Sequence, residues 1–163
     1  LGCGLGLGGL AAMALGCKVC FSDYDPAAFA FVARSVRENG FEPGRCTTLV
    51  LDWRDPPSRR FSRIIGADVL YERRLVPMVA DVLARMLAPG GEALLATPYR
   101  TSAEAFPEAA AKVGLLCRAE AVATVTETGA NQPGTIYRVL APPPKTDFKS
   151  IQGIAFRGRR GSG

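Results

Sequence analysis

Five of the first nine residues are glycine, in the stretch LGCGLGLGG, and small residues continue through the following LAAMALG. Glycine adopts positive φ angles without strain and lets a ligand approach the bare backbone. Gly2, Gly4 and Gly6 therefore predict a ligand-binding loop. Gly8 and Gly9 would let the helix that follows pack closely against a sheet.

An acidic residue lies where a nucleotide-binding loop of this kind needs one. The apolar segment KVCFSD, residues 18–23, predicts a strand that ends at Asp23. Asp23 follows Gly4 by 19 residues, close to the spacing of about 20 at which an acid accepts hydrogen bonds from ribose hydroxyls. Gly4, Gly6 and Gly9 also match the dinucleotide pattern G-x-G-x-x-G. The spacing alone does not identify the nucleotide, and a merely tight loop is the alternative interpretation.

Strand and helix patterns alternate along the chain, which is typical of parallel crossover units with helices on both faces of a sheet. We predict a Rossmann-like, doubly wound α/β fold with a mostly parallel sheet, whose last two strands form a C-terminal antiparallel hairpin. The apolar segments RIIGADVL and EALLAT are expected at the buried centre of the sheet. Beyond residue 23, strands are predicted over 46–53, 61–71 and 92–99, and helices over 26–40, 75–91 and 102–114. Asp25 and Ser102 are the predicted N-caps of the first and last of these helices, and Pro107 is predicted to interrupt the last one.

The positive charge of the chain is concentrated at its C-terminus. Residues 142–163 contain five basic side chains and one acid, so they carry four of the five net positive charges. Residues 1–141 are nearly neutral and are predicted to form one domain, of a size that buries roughly 70% of its unfolded surface. Residues 142–163 are rich in Pro, Gly and Arg and are predicted to be a disordered basic tail. The neutral body argues against a nucleic-acid partner, although the tail leaves one open.

The five cysteines are odd in number and scattered, which is typical of reduced thiols in a cytoplasmic protein. Cys17 and Cys20 form a C-x-x-C, but the sequence has no second pair and no histidine, so we expect buried structural thiols and no metal site. No apolar run reaches the about 20 residues of a membrane-spanning helix, so a membrane is not expected as a partner.

Four short motifs together resemble those of class I S-adenosylmethionine-dependent methyltransferases, over roughly residues 1–141. LGCGLGL resembles the first motif, SDYD the second, LDW the third and GADVLYE the fourth. The D-x-x-Y within the fourth motif, from Asp68 to Tyr71, resembles the signature of the lysine-methyltransferase-like branch, methyltransferase family 16. The resemblance implies S-adenosyl-L-methionine as the cofactor and a seven-stranded sheet whose last strand is inserted antiparallel.

The resemblance also implies roles for individual residues. Asp23 would hold the ribose and Tyr24 would lie against the adenine. Asp52 would lie near the adenine amino group, and Trp53 would lie beside the ring, with a core anchor as the alternative for this tryptophan. The full set of implied cofactor-binding residues is Gly2, Cys3, Gly4, Gly6, Asp23, Tyr24, Asp52, Trp53 and Ala67.

The sequence departs from the family pattern at its beginning. The acid that the family has before the first glycine pair would precede Leu1, as would nearly all of the first strand. Because that strand lies at the centre of the family's sheet, we expect unpaired backbone groups on its two neighbours and low stability. Replacement of the strand by the tail segment SIQGIAF is the alternative.

Methyl transfer from a sulfonium is an in-line displacement, which needs alignment and exclusion of water rather than a nucleophilic triad. The chain contains no histidine, the commonest general base. The resemblance makes Asp68 the candidate that orients an acceptor amine and Tyr71 the wall of its channel, with capping and packing as the alternative roles. We therefore expect an N-methyltransferase acting on a protein lysine or a small amine. An NAD(P)-dependent oxidoreductase and a non-catalytic cofactor-binding remnant are the alternatives.

Overall fold

The computed structural model describes residues 1–125 and 129–143. Its helices and strands alternate as predicted, which confirms the α/β class. In chain order the elements are α1 (Leu7–Ala14), β1 (Val19–Asp23), α2 (Ala28–Glu38), β2 (Cys46–Val50), β3 (Phe61–Ala67), α3 (Leu75–Met86), β4 (Leu87–Pro98), α4 (Phe106–Lys112), β5 (Leu116–Val125) and β6 (Asn131–Leu140). Short 3-10 turns precede β2 and α4, at Pro43–Arg45 and Thr101–Ala105. The predictions for most of the basic tail, including SIQGIAF, lie outside the described residues.

The strands form two sheets. β1 pairs with β2 in parallel. The second sheet has the order β3-β4-β6-β5, in which β3 and β4 are parallel and β6 runs antiparallel to both of its neighbours. The predicted hairpin of β5 and β6 is therefore confirmed, and the last strand is inserted between β4 and β5 as the resemblance implied.

Residues 1–3 lie between the two sheets and connect them. The Leu1 amino group donates to the Ile65 carbonyl at 2.8 Å, and the Cys3 N–H donates to the Ser22 carbonyl at 2.8 Å. Beside these residues, an apolar cavity of about 300 Å³ separates β1 from β3. Its walls include Val19, Cys20 and Phe21 from β1 and Ile65, Gly66 and Ala67 from β3. The interruption expected at the centre of the sheet is thus present, and residues 1–3 lie across it.

Helices pack on both faces of the larger sheet. Since side chains alternate between the faces of a strand, neighbouring residues of β4 contact different helices. Ala93 and Leu95 of β4 are fully buried in a cluster with α3 and α4. Leu94 and Ala96, on the opposite face, line the cavity beside α1. A second cluster joins α1, α2 and β1 through the side chains of Met13, Phe21, Val32 and Val36.

The third helix is shorter than the pattern predicts. It ends at Met86, and residues 87–91, predicted as helix, belong to β4. Leu87 is already extended, with φ −74° and ψ 134°. Pro89 disfavours helical geometry at the residue before it, and two glycines follow, so the chain leaves the helix early.

Two predicted caps and one predicted interruption are wrong. The Ser102 hydroxyl donates to the Leu70 carbonyl at 2.6 Å instead of capping a helix. Pro107 lies in the first turn of α4 and does not interrupt it, because the missing N–H of proline has no helical partner at that position. The Asp25 carboxylate accepts from the Ala27 N–H at 2.9 Å, so it stabilises the turn before α2 rather than α2 itself.

Burial also differs from expectation in two places. β3 is largely accessible, with Ile65 38% exposed, because this residue faces the cavity between the sheets rather than a neighbouring strand. Cys17 is exposed and Cys20 is half-buried, so the pair is not buried as expected.

Within residues 1–125 and 129–143, no cluster of metal-binding side chains occurs. None of the helices in the described part of the chain has the length and hydropathy needed to cross a bilayer.

The facing edges of β1 and β3 predict that an added strand would stabilise the fold. Five apolar residues fused ahead of Leu1 should pair with both edges, and each new hydrogen bond contributes about 1 kcal/mol. A rise in Tm of about 5 °C or more is expected, measured by thermal unfolding beside the unextended chain. A Gly/Ser segment of equal length is the control. Equal Tm values for the apolar and control extensions would show that these edges do not accept a strand.

Candidate cofactor and acceptor site

The glycine loop and the carboxyl ends of β1, β2 and β3 surround a cavity of about 710 Å³, within the ~300–1,000 Å³ of typical ligand sites. All predicted site residues except Cys3 and Gly6 line it, namely Gly2, Gly4, Asp23, Tyr24, Asp52, Trp53, Ala67, Asp68 and Tyr71. Cys3 lines the smaller cavity between the sheets. Four separate loops therefore bring the predicted residues to one place.

The glycines of the first loop have different structural roles. Gly4 has φ 49°, and a Cβ added to it would meet no atom within 4 Å, so its backbone faces open space in the cavity. A Cβ on Gly2 would lie 3.1 Å from Val69. Gly6 is buried at the start of α1, where a Cβ would lie 2.9 Å from Val32. Gly4 thus lets a ligand approach the backbone, whereas Gly6 lets α1 pack.

The Asp23 carboxylate is fixed at the end of β1. Its Oδ2 accepts from the Gly4 N–H at 2.8 Å, and its Oδ1 accepts from the Asp25 N–H at 3.1 Å. An ionised carboxylate has about four acceptor positions, so each oxygen keeps capacity for one further donor. This arrangement fits the two adjacent hydroxyls of a ribose.

Asp52 forms an ion pair with Arg54, a residue that the sequence analysis did not identify. Arg54 Nε lies 2.9 Å from Oδ1, and Nη2 lies 2.6 Å from Oδ2. These hydrogen bonds lower the pKa of Asp52 to about 2. Exposed ion pairs contribute little net stability, so the pair does not prevent Asp52 from accepting a ligand donor. Its contact with an adenine amino group stays a prediction.

Tyr24 and Trp53, the two aromatic residues predicted to lie against the adenine, differ in burial. Trp53 packs partly against the core and also lines the cavity, so the anchor and wall roles do not exclude each other. Tyr24 is 68% exposed at the rim. Both rings are available to an aromatic ligand from this side.

Asp68 follows β3 directly and has a distinctive backbone and partner. It is the one non-glycine residue with a positive φ, 53°, in the part of the chain that the structure describes. Arg100 binds its carboxylate through Nε to Oδ1 at 2.7 Å and Nη2 to Oδ2 at 2.5 Å, and the Thr97 hydroxyl lies 3.4 Å from Oδ1. Hydrogen bonding from Arg100 lowers the pKa of Asp68, against a smaller opposing effect of burial. Asp68 is therefore ionised at neutral pH.

The partners of Asp68 were not predicted, although a sequence signal for them exists. Thr97 and Arg100 lie at and just beyond the carboxyl end of β4, the parallel neighbour of β3. Ligand-binding residues of such sheets collect at these strand ends. Tyr71, which was predicted, is 51% exposed and lines the cavity three residues beyond Asp68.

A family profile described as lysine methyltransferase matches residues 1–109. The chain belongs to this family. It is therefore an S-adenosylmethionine-dependent methyltransferase, and the oxidoreductase alternative is set aside. A comparison with curated protein sequences gave no match.

Solved structures of low sequence identity share the fold. A SAM-dependent methyltransferase of Methanosarcina mazei superposes with a TM-score of 0.70 at 12% identity, covering 87% of this chain and 90% of that one. The N-methyltransferase NodS of Bradyrhizobium japonicum, in complex with S-adenosyl-L-homocysteine, has a TM-score of 0.59 at 18% identity, covering 77% and 67%. A phosphoethanolamine N-methyltransferase of Haemonchus contortus, bound to S-adenosylhomocysteine, has a TM-score of 0.63 at 15% identity, covering 86% and 47%.

The residues of the cavity fit S-adenosyl-L-methionine. Gly4 leaves open space at the backbone, and Asp23 has free acceptor positions for the ribose. Trp53 and Tyr24 offer aromatic surfaces against which an adenine ring can pack. The family and the geometry therefore agree on the cofactor.

Asp23→Ala should weaken cofactor binding, because a charged acceptor for hydroxyl groups is lost. Charge-assisted hydrogen bonds contribute roughly 1.5–3 kcal/mol each, so a loss of affinity of about tenfold or more is expected by calorimetry. Asp81→Ala, at an exposed position of α3 outside the cavity, is the control. Equal affinity of the Asp23→Ala variant and the control would contradict the assignment of Asp23.

Gly4→Val should abolish cofactor binding while the protein stays folded, because the new side chain would occupy the cavity. Gly40→Val is a matched control, since Gly40 also has a positive φ, 67°, and open space around it but lies outside the cavity. The two variants should lose similar stability in thermal unfolding. Retained cofactor affinity in a folded Gly4→Val protein would mean that this loop is not the cofactor cradle.

Proposed function

We propose that this methyltransferase transfers the methyl group to an amine nitrogen and that its acceptor is a protein lysine. The observation that carries the proposal is Asp68, an ionised carboxylate on the same cavity as Asp23 and 39% exposed at its side chain. The family description also names lysine, and two of the structural neighbours are N-methyltransferases.

The bound cofactor supplies a methyl group on a cationic sulfur, and the chain's residues bind and orient the two reactants. Asp68 is a poor general base, because its lowered pKa leaves it a weak proton acceptor. It retains acceptor capacity beyond its bonds to Arg100, so it can accept an N–H from an amine and direct the nitrogen lone pair. The role of Asp68 is therefore orientation rather than proton removal.

Tyr71 is suited to the acceptor side of the site. It lines the cavity, and about half of its surface is exposed. An aromatic face attracts an ammonium group and packs well against a methylene chain. Lysine combines both features, with an amine at the end of a four-carbon stem that can reach a site open to solvent.

The five cysteines are all free thiols, which fits a reducing compartment. A cytoplasmic location is therefore part of the proposal.

The acceptor class is tested by incubating the protein with labelled S-adenosylmethionine and a lysate, followed by mass spectrometry. Label on lysine side chains is the expected result, and label confined to other residue types would contradict it. Cofactor binding without any transfer would instead support the non-catalytic alternative.

Asp68→Asn should lower turnover and spare cofactor binding, because it removes the charge while preserving the size of the side chain. Hydrogen bonds to charged groups contribute roughly 1.5–3 kcal/mol, so kcat should fall about 10- to 100-fold. Kinetics with lysine-containing peptides and calorimetry with the cofactor measure the two effects. Asp81→Asn is the control. If turnover falls only as far as cofactor affinity falls, Asp68 belongs to the cofactor side.

A further inference from the structure

The ion pair of Asp68 and Arg100 joins the ends of two parallel strands. Arg100 lies two residues beyond β4, and the Asp68 N–H donates to the Ala96 carbonyl of β4 at 2.7 Å. This bond extends the pairing of β3 and β4 by one residue. The positive φ of Asp68 is energetically unfavourable for a non-glycine residue, so the site maintains an uncommon backbone conformation at the position where the pair forms.

The pair leaves part of the Asp68 carboxylate free. Each oxygen accepts one N–H from the Arg100 guanidinium, and Oδ1 has the long contact to the Thr97 hydroxyl. Of about four acceptor positions on a carboxylate, at least one remains. A side chain that faces the cavity can therefore receive one N–H donor without displacing Arg100.

The other charged side chains of the cavity have partners of their own. Arg54 and Arg74 line the same space and are each bound to a carboxylate close in sequence. Tyr24 and Tyr71 are the cavity's other titratable groups. The charge pairs are Asp52 with Arg54 and Glu72 with Arg74, whereas Asp23 accepts the backbone N–H groups of Gly4 and Asp25. Loss of Arg100 would therefore leave Asp68 without a compensating cation.

An uncompensated carboxylate would affect the acceptor directly. A negative charge beside an amine stabilises its protonated form, and an ammonium has no lone pair with which to attack. A guanidinium bound to the same carboxylate offsets its negative charge, so the protonated amine is no longer favoured. The carboxylate oxygens can still accept a hydrogen bond from the amine. Stability alone does not account for the pair, because exposed ion pairs contribute little to it, and about 40% of each side chain is exposed.

Resting on the proposed function, we infer that Arg100 is a positioning residue for the acceptor: it fixes the Asp68 carboxylate and compensates its charge, so that an amine can bind there in its neutral form. The lowered pKa of Asp68 agrees with this geometry. Asp68 then provides direction and Arg100 provides charge balance.

The test compares Arg100→Gln, which removes the charge, with Arg100→Lys, which keeps it without the two-pronged geometry. Arg118→Gln, at an exposed position of β5 outside the cavity, is the control. Turnover with saturating lysine-containing peptides and labelled S-adenosylmethionine is measured from about pH 6 to 10, where a rise with pH reports deprotonation in the complex. In Arg100→Gln the midpoint of that rise should move up by roughly one pH unit.

Turnover of Arg100→Gln should fall as much as about tenfold near neutral pH and recover at high pH. Arg100→Lys should keep the wild-type midpoint, and so should the control. A profile of Arg100→Gln equal to wild type would overturn the inference. A profile lowered equally at every pH would also overturn it, because a merely structural role has that effect.

Two further readouts do not depend on activity. A carboxyl-carbon NMR titration should show a higher pKa of Asp68 in Arg100→Gln than in wild type, and calorimetry should show unchanged cofactor affinity. An unchanged Asp68 pKa, or a loss of cofactor affinity, would overturn the inference. Wild-type protein that binds cofactor but transfers no label to lysine peptides or small primary amines would overturn the proposed function and this inference together. Active wild type with an unshifted Arg100→Gln profile overturns the inference alone.

Discussion

The hydrogen bond from the Gly4 N–H to the Asp23 carboxylate holds the glycine loop against the end of β1, beside the larger cavity. It attaches the glycine loop to the end of β1, while Cys3 binds the Ser22 carbonyl of the same strand and Leu1 binds Ile65 of β3. The loop consequently bridges two sheets that do not pair with each other directly. The cavity depends on these contacts, because the glycine loop and residues from the strand ends of both sheets line it.

The sequence predicted the glycine loop and the strand that ends at Asp23 because the requirements there are local. Glycine adopts positive φ angles without strain, so the conformations of Gly2, Gly4 and Gly6 could be predicted from their residue type. The position of Asp23 could be predicted because one helix and one strand of ordinary length separate it from the glycine loop. Order and type of the elements were predicted for the same reason, since hydrophobic periodicity and strand–helix alternation are readable within short windows. The antiparallel hairpin of β5 and β6 followed from the absence of a helix between them.

The surroundings of Asp68, the residue proposed to orient the acceptor, depend on contacts that a linear pattern does not contain. Arg100 and Asp68 are 32 residues apart and meet because β3 and β4 are parallel neighbours in a fixed register. The hydroxyl of Ser102 likewise binds Leu70 rather than capping its own helix. The exposure of β3 was mispredicted because apolar composition indicates a buried strand only when both of its edges and both faces have partners.

The two aspartate–arginine pairs of the cavity differ in what determines them. Arg54 lies two residues beyond Asp52, so that pair is a property of one loop. Arg100 reaches Asp68 from the segment that follows β4, and the bond from the Asp68 N–H to the Ala96 carbonyl ties the same residue to the β3–β4 pairing. A substitution at the end of β4 would therefore alter the surroundings of Asp68, while the loop that is bonded to Asp23 would not be in contact with it. If Asp23 binds the cofactor and Asp68 orients the acceptor as proposed, the two functions are separable in this fold because they depend on different strand ends.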